Sequence, residues 1–381
     1  MCSRKSTPVW NGIEVYEDLA LANSICWIAA LFVTLKLHKR LAFNHRREKD
    51  KMIKTIVAVF IALTMAGSAF GQRPTGTLTL GSVNTTKCIP GWTCYDATIT
   101  SPDVIENNSG KHAILAIRRA ATPMIRGTVL AIGGHAGREW WDGNQALARQ
   151  WEDRMLSSGY DVVQFKYLGW GWPNPIQGNK QGFVRLACRP ATIIKWVHDN
   201  WHRSGDFMVI GSSQGSAALG YSMAMYGIYQ IVDRAVYISG PPMTKLVTAC
   251  LATDNRQLSH PSESELVDEP DGYLTSYGPC TLRTDTPGNR DWWAHNSVET
   301  ADDTILPGGV THGVYRYPNT KVSFILGVRD SYRIRYHAQK LIDVFTESDQ
   351  PLEIRRIAAM GHSIMQSQEG LDALFHILTQ P

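Results

Sequence analysis

Little of this sequence is charged. Asp, Glu, Lys and Arg make up 19% of its 381 residues, and the net charge of +4 belongs to the beginning of the chain. Of the 38 Lys and Arg and 34 Asp and Glu, ten and five fall in the first 71 residues, leaving 28 against 29 for the remainder. A body so close to neutral has no basic footprint for nucleic acid, so that partner is excluded. Internal repeats and low-complexity tracts are missing, and so is any Cys-x-x-Cys or clustered Cys/His spacing of a metal site. A hydrophobic content of 44% with so little charge excludes disorder, a collagen-like repeat and a coiled coil. The length suits two domains at most, or one α/β domain carrying insertions.

The apolar run from Ile56 to Ala66 is too short to span a bilayer comfortably. From Met52 a basic start, Met-Ile-Lys-Thr, leads into an apolar stretch from Ile56 to Ala66 and then Gly-Ser-Ala-Phe-Gly-Gln. These are the three parts of a secretory signal, with cleavage expected after Gly71 and Gln72 as the new N-terminus. Residues 1–51 carry a second apolar patch, Ile25 to Leu35, followed by seven basic residues from Lys36 to Lys51. They are either an upstream extension that is not translated, with the start at Met52, or a membrane anchor with a basic cytoplasmic flank. On both readings the body, residues 72–381, is secreted or periplasmic, with no stable membrane insertion after signal cleavage.

The cysteines agree with export. Cys88 and Cys94 bracket the turn-rich Ile-Pro-Gly-Trp-Thr and can close a small loop, and Cys250 and Cys280, in one irregular region, can form a second bridge. Cys188 is left over, on a helical pattern, as a buried thiol.

Short strand-like runs at Thr77–Leu80, Cys94–Ile99 and Ala113–Ile117 read as an antiparallel lead-in. Apolar strands then alternate with amphipathic helices. The strands are Gly127–Ile132, Asp161–Tyr167, Phe207–Ile210, Ala235–Ser239, Lys321–Val328 and Leu352–Ala358. The helices cover Gln145–Ser157, Phe183–Trp201, a segment from near Gln214, Tyr332–Glu347 and about Gln368–Thr379. That rhythm predicts a mostly parallel central sheet with helices on both faces. It lapses from about 241 to 318, a stretch rich in Pro, Gly, Asp, Thr and Ser and too long for a structureless loop. A lid or cap inserted before the penultimate strand is expected there.

The chemistry gathers where strands end. After Phe207–Ile210 comes Gly211-Ser212-Ser213-Gln214-Gly215, a Gly-x-Ser-x-Gly pattern between an apolar strand and an Ala/Ser/Met-rich helix. Glycines two residues either side permit a sharp strand-to-helix turn that exposes the Ser213 hydroxyl. A serine needs a base. His362, in Met-Gly-His directly after the last strand, is the candidate, with His135 its main rival. The base needs a carboxylate to orient its ring. Asp330, ending Gly-Val-Arg-Asp, stands at another strand's C-terminal edge, whereas Asp302 and Asp303 fall in the lid and Asp343 in a helix.

Gly-Ser-Ser213-Gln-Gly, then Gly-Val-Arg-Asp330, then Met-Gly-His362 resemble the Ser…Asp…His order of the α/β-hydrolase superfamily, from roughly Gly127 to the C-terminus with the lid interrupting. The resemblance implies that fold and an oxyanion hole built from the backbone N–H of Gln214 and one from the loop after the first parallel strand, Gly133-Gly134-His135-Ala136-Gly137. That loop departs from the lipase-type His-Gly-Gly-Gly order, so Gly134 and His135 both stand as donors. Paired tryptophans cluster by the same edge: Trp140 and Trp141, Trp170 and Trp172, Trp292 and Trp293. They read either as an apolar acyl or aryl cleft or as packing for long loops, and Tyr167 to Trp172 is the segment expected to meet substrate.

The expectation is a secreted esterase or lipase-like serine hydrolase acting on a small-molecule or polymeric ester, needing no metal or organic cofactor. Two rivals stand beside it. One is a peptidase or amidase on the same fold, for which the acidic lid residues Glu263, Glu265, Asp268, Glu269 and Asp271 would meet an amine. The other is a non-catalytic binding protein on a hydrolase scaffold.

Overall fold

The computed structural model describes residues 73–102, 104, 111–169, 171–172, 183–240, 313–330 and 332–380. The expectations for residues 1–72, for a Cys250–Cys280 bridge, for Trp170, Trp292 and Trp293, and for the lid as far as 312 fall outside these residues.

Nine strands of the described chain form one sheet: β1 (Thr77–Val83), β2 (Thr93–Thr100), β3 (His112–Arg118), β4 (Gly127–Ile132), β5 (Tyr160–Tyr167), β6 (Asp206–Ser212), β7 (Arg234–Ile238), β8 (Lys321–Gly327) and β9 (Leu352–Ile357). Their spatial order is β1-β2-β3-β5-β4-β6-β7-β8-β9. The first three strands and the β3–β5 pair are antiparallel, and every pair from β5 through β4 to β9 is parallel. The Cys88–Cys94 bridge closes the turn that leads from β1 into β2.

Side chains of a strand point alternately to opposite faces, and here both faces are buried. Leu130, Ile132, Val163, Phe165, Val209 and Phe324 face one side, against α2 (Cys188–Asn200), α3 (Gln214–Tyr226) and α4 (Tyr332–Glu347). Val129, Ala131, Val162, Met208, Ile210 and Ile325 face the other, against α1 (Ala146–Ser157) and α5 (Gln368–Thr379). The near-continuous apolar strands of the sequence are the direct result. The helix expected over Phe183–Trp201 is broken at Ala187 into a single turn, Phe183–Leu186, and α2. Pro190 accounts for the break: its ring has no N–H for the Leu186 carbonyl and would crowd it in a continuous helix.

Two further details adjust the sequence reading. The last residues assigned to the lid belong to the core, because Val314 N–H donates to Ala224 O and buried Tyr317 stacks on Tyr229. Cys188 is buried as expected, its thiol 3.6 Å from the Pro74 carbonyl.

One polar cluster crosses from the helix layer into the sheet. Glu152 of α1 accepts from the side-chain amide of Gln164 on β5, and both side chains are fully buried. Burial, reinforced by the Asp142 carboxylate, pushes the Glu152 carboxyl up to about 8, so it is neutral at physiological pH. Its folded value lies above the ordinary one. The stability carried by the neutral acid is therefore full below about pH 4.5 and is lost as pH climbs through about 8. Glu152→Gln cannot ionise and keeps a carbonyl for Gln164. Its Tm should fall less than that of the unmodified protein between about pH 5 and about pH 9, by the equivalent of a few kcal/mol. A pH-independent gap between the two melting curves would overturn this.

Candidate active site

Strand order places the site. From β4 the chain moves outward to β5 and then returns to the other side of β4 with β6, so the loops leaving β4 and β6 diverge and open a crevice at their C-terminal ends. Ser213 directly follows β6, and Gly133–Gly137 follows the neighbouring β4.

Ser213 has φ 55° and ψ −125°, an uncommon backbone conformation for a residue with a side chain. It holds because its surroundings over-determine it. Its N–H donates to Ile238 O at 2.9 Å, and its carbonyl accepts the Ser216 N–H at 2.9 Å. The buried Ser216 hydroxyl donates to Gly211 O at 2.6 Å and accepts the Ile238 N–H at 3.1 Å, tying the first turn of α3 to both β6 and β7. The flanking glycines are required sterically. A Cβ on Gly211 would lie 2.5 Å from Gly215 O, and one on Gly215 would lie 2.4 Å from Ile132 O and 2.7 Å from Gly133 O. A third close approach was not read from the sequence: a Cβ on Gly240, just past β7, would come within 2.0 Å of Ser213 O.

His362 and Asp330 arrive on the loops after β9 and β8. These loops stay paired beyond the strands, Val328 N–H donating to Ile357 O at 3.0 Å and Arg329 N–H to Met360 O at 3.1 Å. Gly327 allows that approach, since a Cβ there would meet Gly361 O at 2.2 Å. The result is a continuous line of three groups. His362 Nε2 lies 3.0 Å from Ser213 Oγ, and His362 Nδ1 lies 3.1 Å from each Asp330 carboxylate oxygen. The Asp330 side chain is 2% exposed and the imidazole 45%, so the acid is sheltered while the ring reaches the crevice. A carboxylate at Nδ1 leaves Nε2 as the nitrogen available to take a proton from the hydroxyl. The rival His135 does not enter this line: its ring is exposed and its Nδ1 is 2.8 Å from Glu139 Oε1.

The oxyanion candidates flank the same hydroxyl. Gln214 is the first residue of α3, so its N–H has no carbonyl within the helix to bond and sits at the positive end of the helix dipole. On the facing loop a Cβ on Gly134 would stand 3.3 Å from Ser213 Cβ, and His135 and Ala136 follow with φ of 47° and 60°. They form a tight turn, Gly137 N–H donating to Gly134 O at 2.8 Å.

The aromatic residues take other positions. Tyr167 and Trp172 are 2% and 1% exposed. They back the loop: Trp172 N–H donates to Ala136 O at 3.0 Å, and a Cβ on Gly137 would touch Tyr167 at 3.0 Å and Trp172 at 3.8 Å. Of the two readings of these aromatics, packing that holds a loop describes where they sit. Trp141 is fully buried too, its ring 5.0 Å from that of Trp151, and its indole N–H donates to Ser212 Oγ at 2.9 Å. Sequence reasoning missed that contact and the Gln164 and Glu152 side chains behind it. The available signal was Gln164 itself, a polar residue inside the apolar run Val162-Val163-Gln164-Phe165.

No protein-family model and no curated protein matches the sequence. Solved structures similar to it include Est1E from Butyrivibrio proteoclasticus bound to ferulic acid (12% identity over 70% of this chain and 94% of that one, TM-score 0.45). A bacterial brefeldin A esterase, described as a homologue of human hormone sensitive lipase, aligns at 12% identity over 85% and 84%, with a TM-score of 0.46. An esterase from Pyrobaculum calidifontis aligns at 14% over 90% and 95%, with a TM-score of 0.42. At such values these likenesses add nothing to what the strand order itself establishes.

Gly215→Ala tests the close packing directly. With two consecutive backbone oxygens of the β4 end within 2.7 Å of the new methyl, that segment must move, and a loss of about 2–4 kcal/mol in unfolding free energy is expected. Denaturant titration measures it, and an unchanged midpoint would contradict the tight approach. Six parallel strands crossing at β4, a strand–serine–helix turn after β6, and Asp and His on the loops after β8 and β9 give this chain the α/β-hydrolase fold.

Proposed function

We propose that this chain is an exported serine hydrolase that cleaves carboxylic esters through an acyl-enzyme. The observation that carries the reading is the Ser213–His362–Asp330 line, in which each group is within hydrogen-bond reach of the next. Ser213 Oγ attacks the ester carbonyl while His362 Nε2 takes its proton. The negative charge on the tetrahedral oxygen falls between the Gln214 N–H and an amide of the Gly134–His135 segment. His362, now an imidazolium steadied by Asp330, protonates the departing alcohol. It then takes a proton from water, which adds to the acyl carbon, and returns that proton to Ser213 Oγ as the acyl–oxygen bond breaks and the acid leaves. Every step uses groups of the chain and water, with no metal or organic cofactor.

Export is supported by the Cys88–Cys94 bridge, since disulfides persist in oxidising compartments. The proposed leader is the Met52–Gly71 segment. Among the described residues no helix is long and apolar enough to cross a membrane.

A fluorophosphonate probe reacts with an activated serine and spares ordinary ones. It should form one adduct, on Ser213, located by peptide mass spectrometry, and none in His362→Ala. Hydrolysis of an activated short-chain ester should fall by about 10⁴–10⁶ in kcat for Ser213→Ala and His362→Ala, and by about 10⁴ for Asp330→Asn. Faster turnover of a matched aminoacyl amide than of the ester would replace the esterase by a peptidase or amidase. Absence of any adduct on folded protein would favour a binding protein on this scaffold.

A further inference from the structure

Trp141 occupies an unusual place between the two segments that face the Ser213 hydroxyl. The loop after β4 leaves the sheet at Gly133 and doubles back: a Cβ on Gly133 would lie 2.4 Å from Glu139 O and 3.3 Å from Trp141 N. Its outgoing limb carries Gly134, against Ser213. Its returning limb carries Trp141, whose side chain passes beneath the sheet's end on the α1 side. There its indole N–H meets Ser212 Oγ, the residue immediately before the strained Ser213. Trp141 is itself fixed from two directions. Its backbone N–H donates to Gln164 Oε1 at 2.7 Å, and the Gln164 amide donates to the buried Glu152 carboxyl. Its ring packs on Trp151 of α1.

We infer that Trp141 is a positioning residue for the proposed reaction, its indole N–H···Ser212 Oγ bond setting the separation between the oxyanion amide on the β4 loop and the one that follows Ser213. The inference rests on the hydrolase reading and extends it. The two amides belong to different segments, and a stabilised oxyanion needs both within about 3 Å of a single oxygen. An error of about 1 Å in such an arrangement costs up to about 10²-fold in rate. Strand pairing fixes β4 against β6 only as far as Ile132 and Gly211. Beyond that point the indole bond directly ties the returning limb of the loop to the elbow. It is also shielded: both partners are buried, so water does not compete for the donor.

Because the bond orients groups that act in the transition state, its loss should lower kcat and leave KM nearly unchanged. Trp141→Phe keeps a buried ring and removes the donor, and Ser212→Ala removes the acceptor. In the full chain each should slow acylation of Ser213 by the fluorophosphonate and lower kcat on the activated ester by about 10-fold or more. KM should stay within about twofold. The double variant should be no slower than the worse single one, since both remove the same bond. Should Trp141→Phe fail to fold, Ser212→Ala with the same kcat and KM measurements keeps the test open. Three outcomes overturn the inference: single variants that label and turn over at the rate of the unmodified protein, losses that multiply in the double variant, or a change confined to KM. These are distinct from a failure of the hydrolase reading, in which the unmodified protein itself does not label at Ser213.

Discussion

The structure turns on the backbone at Ser213. A serine at φ 55° is held there against its own preference, and it stays only because neighbours on several sides leave it nowhere else to go. The Ile238 carbonyl fixes its N–H, Ser216 ties the turn to two strands, and Gly211, Gly215 and Gly240 admit backbone oxygens at distances a methyl group would forbid. The local strain and the density of packing around it are two sides of one arrangement. The exposed hydroxyl is what the core's close approach at this point achieves.

The three groups of the line reach the crevice by different means. Ser213 is set by steric exclusion, Asp330 by burial, and His362 by a loop that stays paired with its neighbour past the end of the sheet. Groups on a turn and two loops could drift. Here the backbone bonds from Val328 to Ile357 and from Arg329 to Met360 prolong the β8–β9 ladder and carry Asp330 and His362 as a pair. The freedom left to the imidazole is about its own bonds, which proton transfer in both directions uses.

Most of this was legible in the sequence because it follows from periodicity and from glycine placement. Unbroken apolar runs marked the parallel strands, and Gly-x-Ser-x-Gly, Gly-Val-Arg-Asp and Met-Gly-His stood where those strands end. What stayed hidden depends on contacts between residues distant in sequence. Gly240 looks like an ordinary loop glycine until β7 is set beside the elbow. Gly361, the visible neighbour of His362, meets nothing through a Cβ, whereas Gly327, on another strand, is the residue that lets the loops meet. Trp141 belongs to a tryptophan pair that the sequence left between cleft and packing, and its indole faces inward to a serine 71 positions away. Pro190 was in plain view, but its effect on the helix depended on whether the chain continued straight through Ala187.

The paired loops after β8 and β9 have a temporal consequence. His362 lies 149 residues beyond Ser213 and Asp330 lies 32 before His362, so the Ser213 turn can be built from β4, β6 and β7 while His362 has yet to join the sheet. Until β9 docks on β8, the hydroxyl has no partner to take its proton. A chain still emerging would, for the proposed reaction, be chemically silent. For the proposed reaction, competence therefore depends on the β9 edge of the sheet being in place.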